Sequence, residues 1–186
     1  AVDSIADELM HYMVSEQGCY LASKEEQDAL TEVVLKGGKL NRKCVGRDAK
    51  TLLGMIGVQV PDNIRCITFE GPKEHPLIAT ELMMPILGVV RAKDFDDAVE
   101  QAVWLEHGNR HSAHIHSKNV DNITKYAKAI DTAILVKNGP SYSALGFGGE
   151  GFCTFTIASR TGEGLTSAST FTKRRRCVMT DSLCIR

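Results

Sequence analysis

The chain has 186 residues, 43% of them hydrophobic, enough to bury one substantial core or at most two small ones. Its 22 Lys and Arg stand against 23 Asp and Glu, so no global field draws a polyanion and nucleic acid is excluded as an expected partner. The longest charge-free stretch, around Met83 to Val90, contains a proline and falls far short of the ~20 apolar residues that span a bilayer, which excludes a transmembrane helix there.

Ala1-Val2-Asp3-Ser4 offers neither the basic flank nor the apolar centre of a secretory signal, so a cytoplasmic location is expected. Ile5, Leu9 and Met13 recur at helical spacing and predict a helix over 4–17, capped by Asp3 or Ser4 and stopped at Gly18. A chain that opens where a helix opens reads as a piece of a longer protein. Ser23 with Glu26 forms a capping box for a second helix over 24–36, ended by Gly37-Gly38. A third helix spans 48–56, and Arg65 to Phe69 has strand composition.

Further along, the pattern predicts a strand from Ile86 to Ala92 and a helix from Asp94 to Glu106 capped by Asp94. A strand from Ser112 to His116, a helix from Val120 to Ile130 and a strand from Ala133 to Val136 follow. Strands separated by helices of this length imply βαβ units, hence an α/β, three-layer domain built on a mostly parallel sheet. From Asn138 the texture changes to glycines among Ser and Thr, which predicts loops. The expected division is therefore a partial catalytic α/β domain over 1–138 and Gly-rich loops with a C-terminal β arm over 139–186. Within the latter, Phe152 to Ile157 and Arg176 to Met179 have strand composition but no helix to return them to the sheet, and so read as an oligomerisation arm.

Glu81 precedes a buried strand, where a carboxylate can accept hydrogen bonds from the hydroxyls of a ribose; the plainer reading is a solvated surface carboxylate. Met83 and Met84 follow, and a thioether can pack on a cofactor ring or simply fill a core. On a strand, His114 and His116 would share a face, as two zinc-binding imidazoles do. No carboxylate or cysteine sits at ligand spacing to complete a shell, so no metal is expected. The run Lys173-Arg174-Arg175-Arg176 can neutralise phosphates, but is more readily read as paired across an interface. Cys19, Cys44, Cys66, Cys153, Cys177 and Cys184 contain no CxxC pair and read as reduced thiols, with Cys66, Cys153 and Cys177 expected buried on strands.

Glu81-Leu82-Met83-Met84-Pro85, with its Glu-x-x-x-Pro spacing, resembles the aldehyde dehydrogenases. Val136-Lys137-Asn138-Gly139-Pro140, Gly148-Gly149-Glu150-Gly151, Thr161-Gly162-Glu163-Gly164 and Arg174-Arg175-Arg176-Cys177-Val178 follow in an order similar to the CoA-acylating propionaldehyde and acetaldehyde dehydrogenases of bacterial microcompartment operons. The resemblance runs from Ser4 to Arg186. It implies an enzyme more than twice this length, acting on a small aldehyde with NAD and coenzyme A, whose cofactor domain and nucleophilic cysteine lie upstream of Ala1. The chain alone would then be inactive. By the same resemblance Glu81 binds the nicotinamide ribose, Met83 lies against the cofactor, and His111 assists near the reacting centre by stabilising the thiohemiacetal oxygen or helping to deprotonate the CoA thiol. The resemblance also implies no metal, a homo-oligomer joined through the arm, and a cytoplasmic or microcompartment location. The rival reading is a stand-alone, non-enzymatic α/β binding or oligomerisation module.

Overall fold

The computed structural model describes residues 1–151, 153, 154, 156–158, 164–178 and 180. The chain divides into two compact units, Ala1–Gly108 and Asn109–Arg186. The boundary expected after residue 138 marks a change of sequence texture and falls inside the second unit.

The first unit opens with helix α1 (Asp3–Ser15) and strand β1 (Cys19–Leu21), followed by α2 (Lys24–Val34), α3 (Ala49–Met55) and β2 (Cys66–Glu70). The four-residue α4 (Pro76–Ala79), β3 (Ile86–Val89) and α5 (Phe95–Glu106) complete it. Its strands form a parallel sheet in the order β1-β2-β3, with Cys19 opposite Cys66 and Ile67 opposite Ile86. Three consecutive residues of β2, Ile67, Thr68 and Phe69, are fully buried, which requires cover on both faces of the strand. The buried hydroxyl of Thr68 donates to Leu87 O at 2.9 Å, so its polarity is compensated. Leu30 and Val34 of α2, Leu52 and Leu53 of α3, and Phe69 form the centre of the core. Each such side chain contributes about 1.5–3 kcal/mol by leaving water.

Local chemistry sets the element ends. Ser23 Oγ accepts from Glu26 N while Glu26 Oε2 accepts from Ser23 N at 2.7 Å, closing the expected capping box. Asp48 caps α3 and Asp94 caps α5 through their side chains. Arg91 forks Glu70 through Nε and Nη2, each at 2.9 Å, and also reaches Asp3 and Asp7, which ties α1 to the end of β2. These bonds hold the Glu70 carboxyl below the usual carboxylate range.

The second unit carries β4 (Ser112–Ile115), α6 (Val120–Ile130) and β5 (Ile134–Lys137), a βαβ unit whose strands pair in parallel. Asn119 caps α6, accepting from the amides of Asp121 and Asn122, and Arg110 pairs with Asp131 at its far end. A short 3-10 helix, Ser141–Leu145, follows, and then β6 (Thr156–Ala158) pairs antiparallel with β7 (Gly164–Thr166).

The α/β class with parallel sheets matches the expectation. Helix α1 is capped at Val2 without a side-chain bond, not at Asp3 or Ser4. Strand β3 stops at Val89, short of Ala92, and Ala92 bridges to Val2 instead. Among the described residues of the first strand-like piece of the expected arm, Thr156 and Ile157 lie in strand Thr156–Ala158, which is paired antiparallel with Gly164–Thr166. Arg176 to Val178 forms no regular element, and Phe152, Phe155 and Met179 lie outside the described residues. Cys153 and Cys177 are exposed rather than buried in strands, whereas Cys66 is half-buried on β2. Among the described residues, no helix is long and apolar enough to cross a membrane.

Candidate functional site

The segment that carries Glu81 runs from α4 into β3. Four residues cannot sustain a helix by themselves, so α4 depends on its ends. At its start His75, buried and 4.9 Å from the Phe69 ring, accepts the Leu77 amide at Nδ1 over 3.2 Å. Pro76 occupies the first turn, where its missing N–H leaves nothing unsatisfied. Burial first, and then the charge of Lys24, hold the His75 imidazole below its ordinary pKa, with Asp28 opposing. The ring therefore stays neutral and keeps the lone pair this cap requires.

Beyond α4 the chain extends through Thr80 and Glu81. Leu82 is only 6% exposed and anchors the segment in the core. Met83 adopts a left-handed φ of 55°, a conformation that side chains bearing a Cβ occupy at a cost, and its carbonyl accepts from Gly46 N at 3.1 Å. The Met83 side chain is 65% exposed, which removes it from the plain core reading and places it at the lip of an apolar cleft of about 610 Å³. Leu77, Ile78, Leu82, Met84 and Leu87 are among the residues that line the cleft. Glu81 is exposed, and among the described residues no hydrogen bond holds its carboxylate.

His111 lies at the start of the second unit, exposed, with Nδ1 2.6 Å from Ser112 Oγ. On β4, His114 bonds Ser141 Oγ through Nε2 at 2.8 Å, and desolvation, followed by the neighbouring His116, lowers its pKa. His116 falls one residue beyond the strand's end, close enough to His114 for their charges to interact. Among the described residues no group of three His, Cys, Asp or Glu is placed to hold a metal ion.

The Gly-rich loops of the second unit form a separate cleft of about 420 Å³, lined in part by Lys137, Asn138, Ser143 and Glu150. Asn138, left-handed at φ 54°, clasps Ser117 from both sides: Ser117 N donates to Oδ1 at 2.8 Å, and Nδ2 donates to Ser117 O at 3.0 Å. Gly151 is required by close backbone approach, since a Cβ there would stand 2.1 Å from the carbonyl carbon and oxygen of Ala144.

The structure thus places Glu81 and Met83, both exposed, on one anchored loop, while His111 belongs to the other unit. Sequence reasoning missed His75 and α4, although a histidine followed by proline is a cap-and-first-turn signal.

A family model described as aldehyde dehydrogenase family matches residues 49–170, well over half of the chain. The chain belongs to the aldehyde dehydrogenase family. It is 46% identical over 187 residues to the acetylating acetaldehyde dehydrogenase EutE of Salmonella typhimurium, covering 97% of this chain and 40% of that relative. It is also 42% identical to the CoA-propanoylating propanal dehydrogenase of the same organism, again over 40% of that relative's length. Among solved structures, a propionaldehyde dehydrogenase from the fucose utilisation bacterial microcompartment of Clostridium phytofermentans superposes with a TM-score of 0.93 at 80% identity, covering 100% of this chain and 43% of that one. A Rhodopseudomonas palustris propionaldehyde dehydrogenase with bound CoA gives 0.91 at 50% identity, over 96% and 41% of the respective chains. This aldehyde dehydrogenase chain therefore has CoA-acylating relatives and spans about 40% of the length of the curated ones.

Proposed function

We propose that this chain is the C-terminal part of an NAD-dependent, CoA-acylating aldehyde dehydrogenase, which converts a small aldehyde, NAD and CoA into acyl-CoA, NADH and a proton. The observation that carries the reading is the Glu81 loop: an exposed carboxylate with no competing partner among the described residues, on a backbone anchored by Leu82 and by the bond from Gly46 to Met83 O. A free carboxylate on a fixed backbone suits the two hydroxyls of a ribose, because ionised oxygens accept such bonds more strongly than neutral ones. NAD, when bound, supplies the hydride acceptor.

In this reading Glu81 grips the nicotinamide ribose and the Met83 thioether packs beside the cofactor, held outward by its left-handed backbone. His111 assists by stabilising the thiohemiacetal oxygen or by helping to deprotonate the CoA thiol. The nucleophilic cysteine belongs to sequence before Ala1, so no cysteine of this chain is given that role. The Asn138 to Gly151 loops serve as wall. The hairpin of β6 and β7 and the exposed residues after it, with Phe171 at 72% and Val178 at 79% exposure, form an arm that pairs with another copy of the chain in a homo-oligomer. A cytoplasmic location, within a microcompartment, goes with this reading.

In the full-length enzyme, Glu81→Gln replaces two acceptor oxygens by one and removes the charge. The KM for NAD should rise, or hydride transfer should slow, by roughly tenfold, the equivalent of about 1.4 kcal/mol. Steady-state kinetics with NAD varied at saturating aldehyde and CoA measure this. Unchanged values of both parameters would remove Glu81 from the cofactor site.

A further inference from the structure

We propose that His107 is a positioning residue for Glu81, acting through the backbone at the end of α4; this rests on the reading of Glu81 as the ribose carboxylate. His107 Nε2 lies 2.9 Å from Ala79 O. A carbonyl oxygen can only accept, so Nε2 carries the proton and donates. Ala79 is the last residue of α4, where carbonyls lack an intrahelical partner, and it stands two residues before Glu81. His107 therefore supplies a side-chain anchor on the N-terminal side of Glu81, as Leu82 and the bond to Met83 O do on the other side.

The donor stands on firm ground. His107 closes the twelve-residue helix α5 in a left-handed conformation, φ 56°, with its own amide bonded to Trp104 O at 3.3 Å. Its ring lies 5.5 Å from the Trp104 ring, which Lys73 covers at 5.3 Å. Helix α5 thus holds an imidazole against the carbonyl of a turn too short to be rigid alone. With no hydrogen bond on the Glu81 carboxylate among the described residues, its place is set by the backbone, and His107 helps to set that backbone.

Three replacements in the full-length enzyme separate positioning from general stability. His107→Ala removes the donor. His107→Asn tolerates the left-handed backbone but is too short to reach Ala79, so it serves where the alanine variant folds poorly. His107→Gln keeps a donor of sufficient length. The alanine and asparagine variants should raise the KM for NAD about fivefold or more, with kcat within twofold and the KM values for aldehyde and CoA unchanged, and His107→Gln should recover most of the loss. Amide exchange at Ile78 and Ala79, whose N–H groups bond His75 O at 2.8 and 2.9 Å, should quicken in the asparagine variant. In a Glu81→Gln background, His107→Asn should add nothing to the KM for NAD.

Unchanged exchange in the asparagine variant overturns the proposal. So does an effect on KM for NAD that persists undiminished in the Glu81→Gln background. If exchange quickens but Glu81→Gln alone leaves both the KM for NAD and hydride transfer untouched, the anchoring role of His107 stands and the cofactor reading of Glu81 is the part that fails.

Discussion

The two units of this chain are both α/β, yet they hold their folds by different means. In Ala1–Gly108, Leu30, Val34, Leu52, Leu53, Ile67 and Phe69 are all 0% exposed, and the middle strand is covered on both faces. In Asn109–Arg186 the most buried described apolar residues, Ile130 and Ile134, remain 5% exposed. There the order comes from polar clasps and close backbone approach: Asn138 on Ser117, Arg110 on Asp131, and Gly151 against Ala144. Apolar burial scales with area and tolerates small shifts, whereas a backbone contact or a two-pronged amide clasp depends on one geometry. A sheet of three strands with helices on both faces makes a dry interior, and a pair of strands with one helix makes a thinner one.

The sharpest way to break that comparison is to cut a large side chain from each unit. Phe69→Ala removes a fully buried ring that meets His75 at a tilt of 56° and should cost about 3–5 kcal/mol, read from the shift of the urea midpoint. Ile130→Ala should cost clearly less, about 2 kcal/mol, because a smaller side chain is removed from a site that is 5% exposed and not wholly enclosed. Equal losses would show that the second unit is packed as tightly as the first.

Glycine replacement sharpens the contrast with a smaller effect. Alanine at Gly88 would meet side-chain atoms, Ile78 Cγ1 at 2.2 Å and Phe69 Cζ at 3.2 Å, while alanine at Gly151 would meet the Ala144 backbone at 2.1 Å. Both should destabilise by about 1–3 kcal/mol, the usual range for an overpacked site. Only Gly151→Ala should open the 139–151 loop to limited proteolysis; an unchanged cleavage pattern in that variant would refute the close-approach argument.

The smallest effect concerns pH. The neutral form of His75 is favoured in the folded state, so the unfolded chain binds the proton more readily. His75 thus contributes stability above its unfolded pKa near 6.5, and that contribution is lost as pH falls through the lower folded value. The slope cannot exceed about 1.4 kcal/mol per pH unit, the linkage of one proton. His75→Asn retains a capping oxygen without a proton to gain, and should flatten the stability profile between pH 6.5 and the acid limb. A profile unchanged by the substitution would assign the acid sensitivity elsewhere.

Helix periodicity and cap chemistry made most of the long elements legible, because Ser23 with Glu26 and Asp94 act within three residues of themselves; the caps Asp48 and Asn119 were not read from the sequence. Strand β1 was not legible: Cys19-Tyr20-Leu21 is too short for an alternating pattern and is a strand only because β2 pairs with it. Helix α4 was missed for the same reason, four residues offering no period. The exposure of Cys153 and Cys177 ran against their strand-like neighbours, since composition states what a strand would accept and not whether a partner is present.

The sequence by itself determined the α/β class, the long helices with the caps of α2 and α5, and the motif around Glu81 by which the family is known, all of which depend on residues close together along the chain. Tertiary structure alone decided the left-handed backbone of Met83, the bond from Gly46 to its carbonyl, and the reach of His107 to Ala79 across 28 residues. The physical reason is that a hydrogen bond between distant residues leaves no periodicity or composition in the chain; it exists only once packing has brought donor and acceptor within about 3 Å of each other.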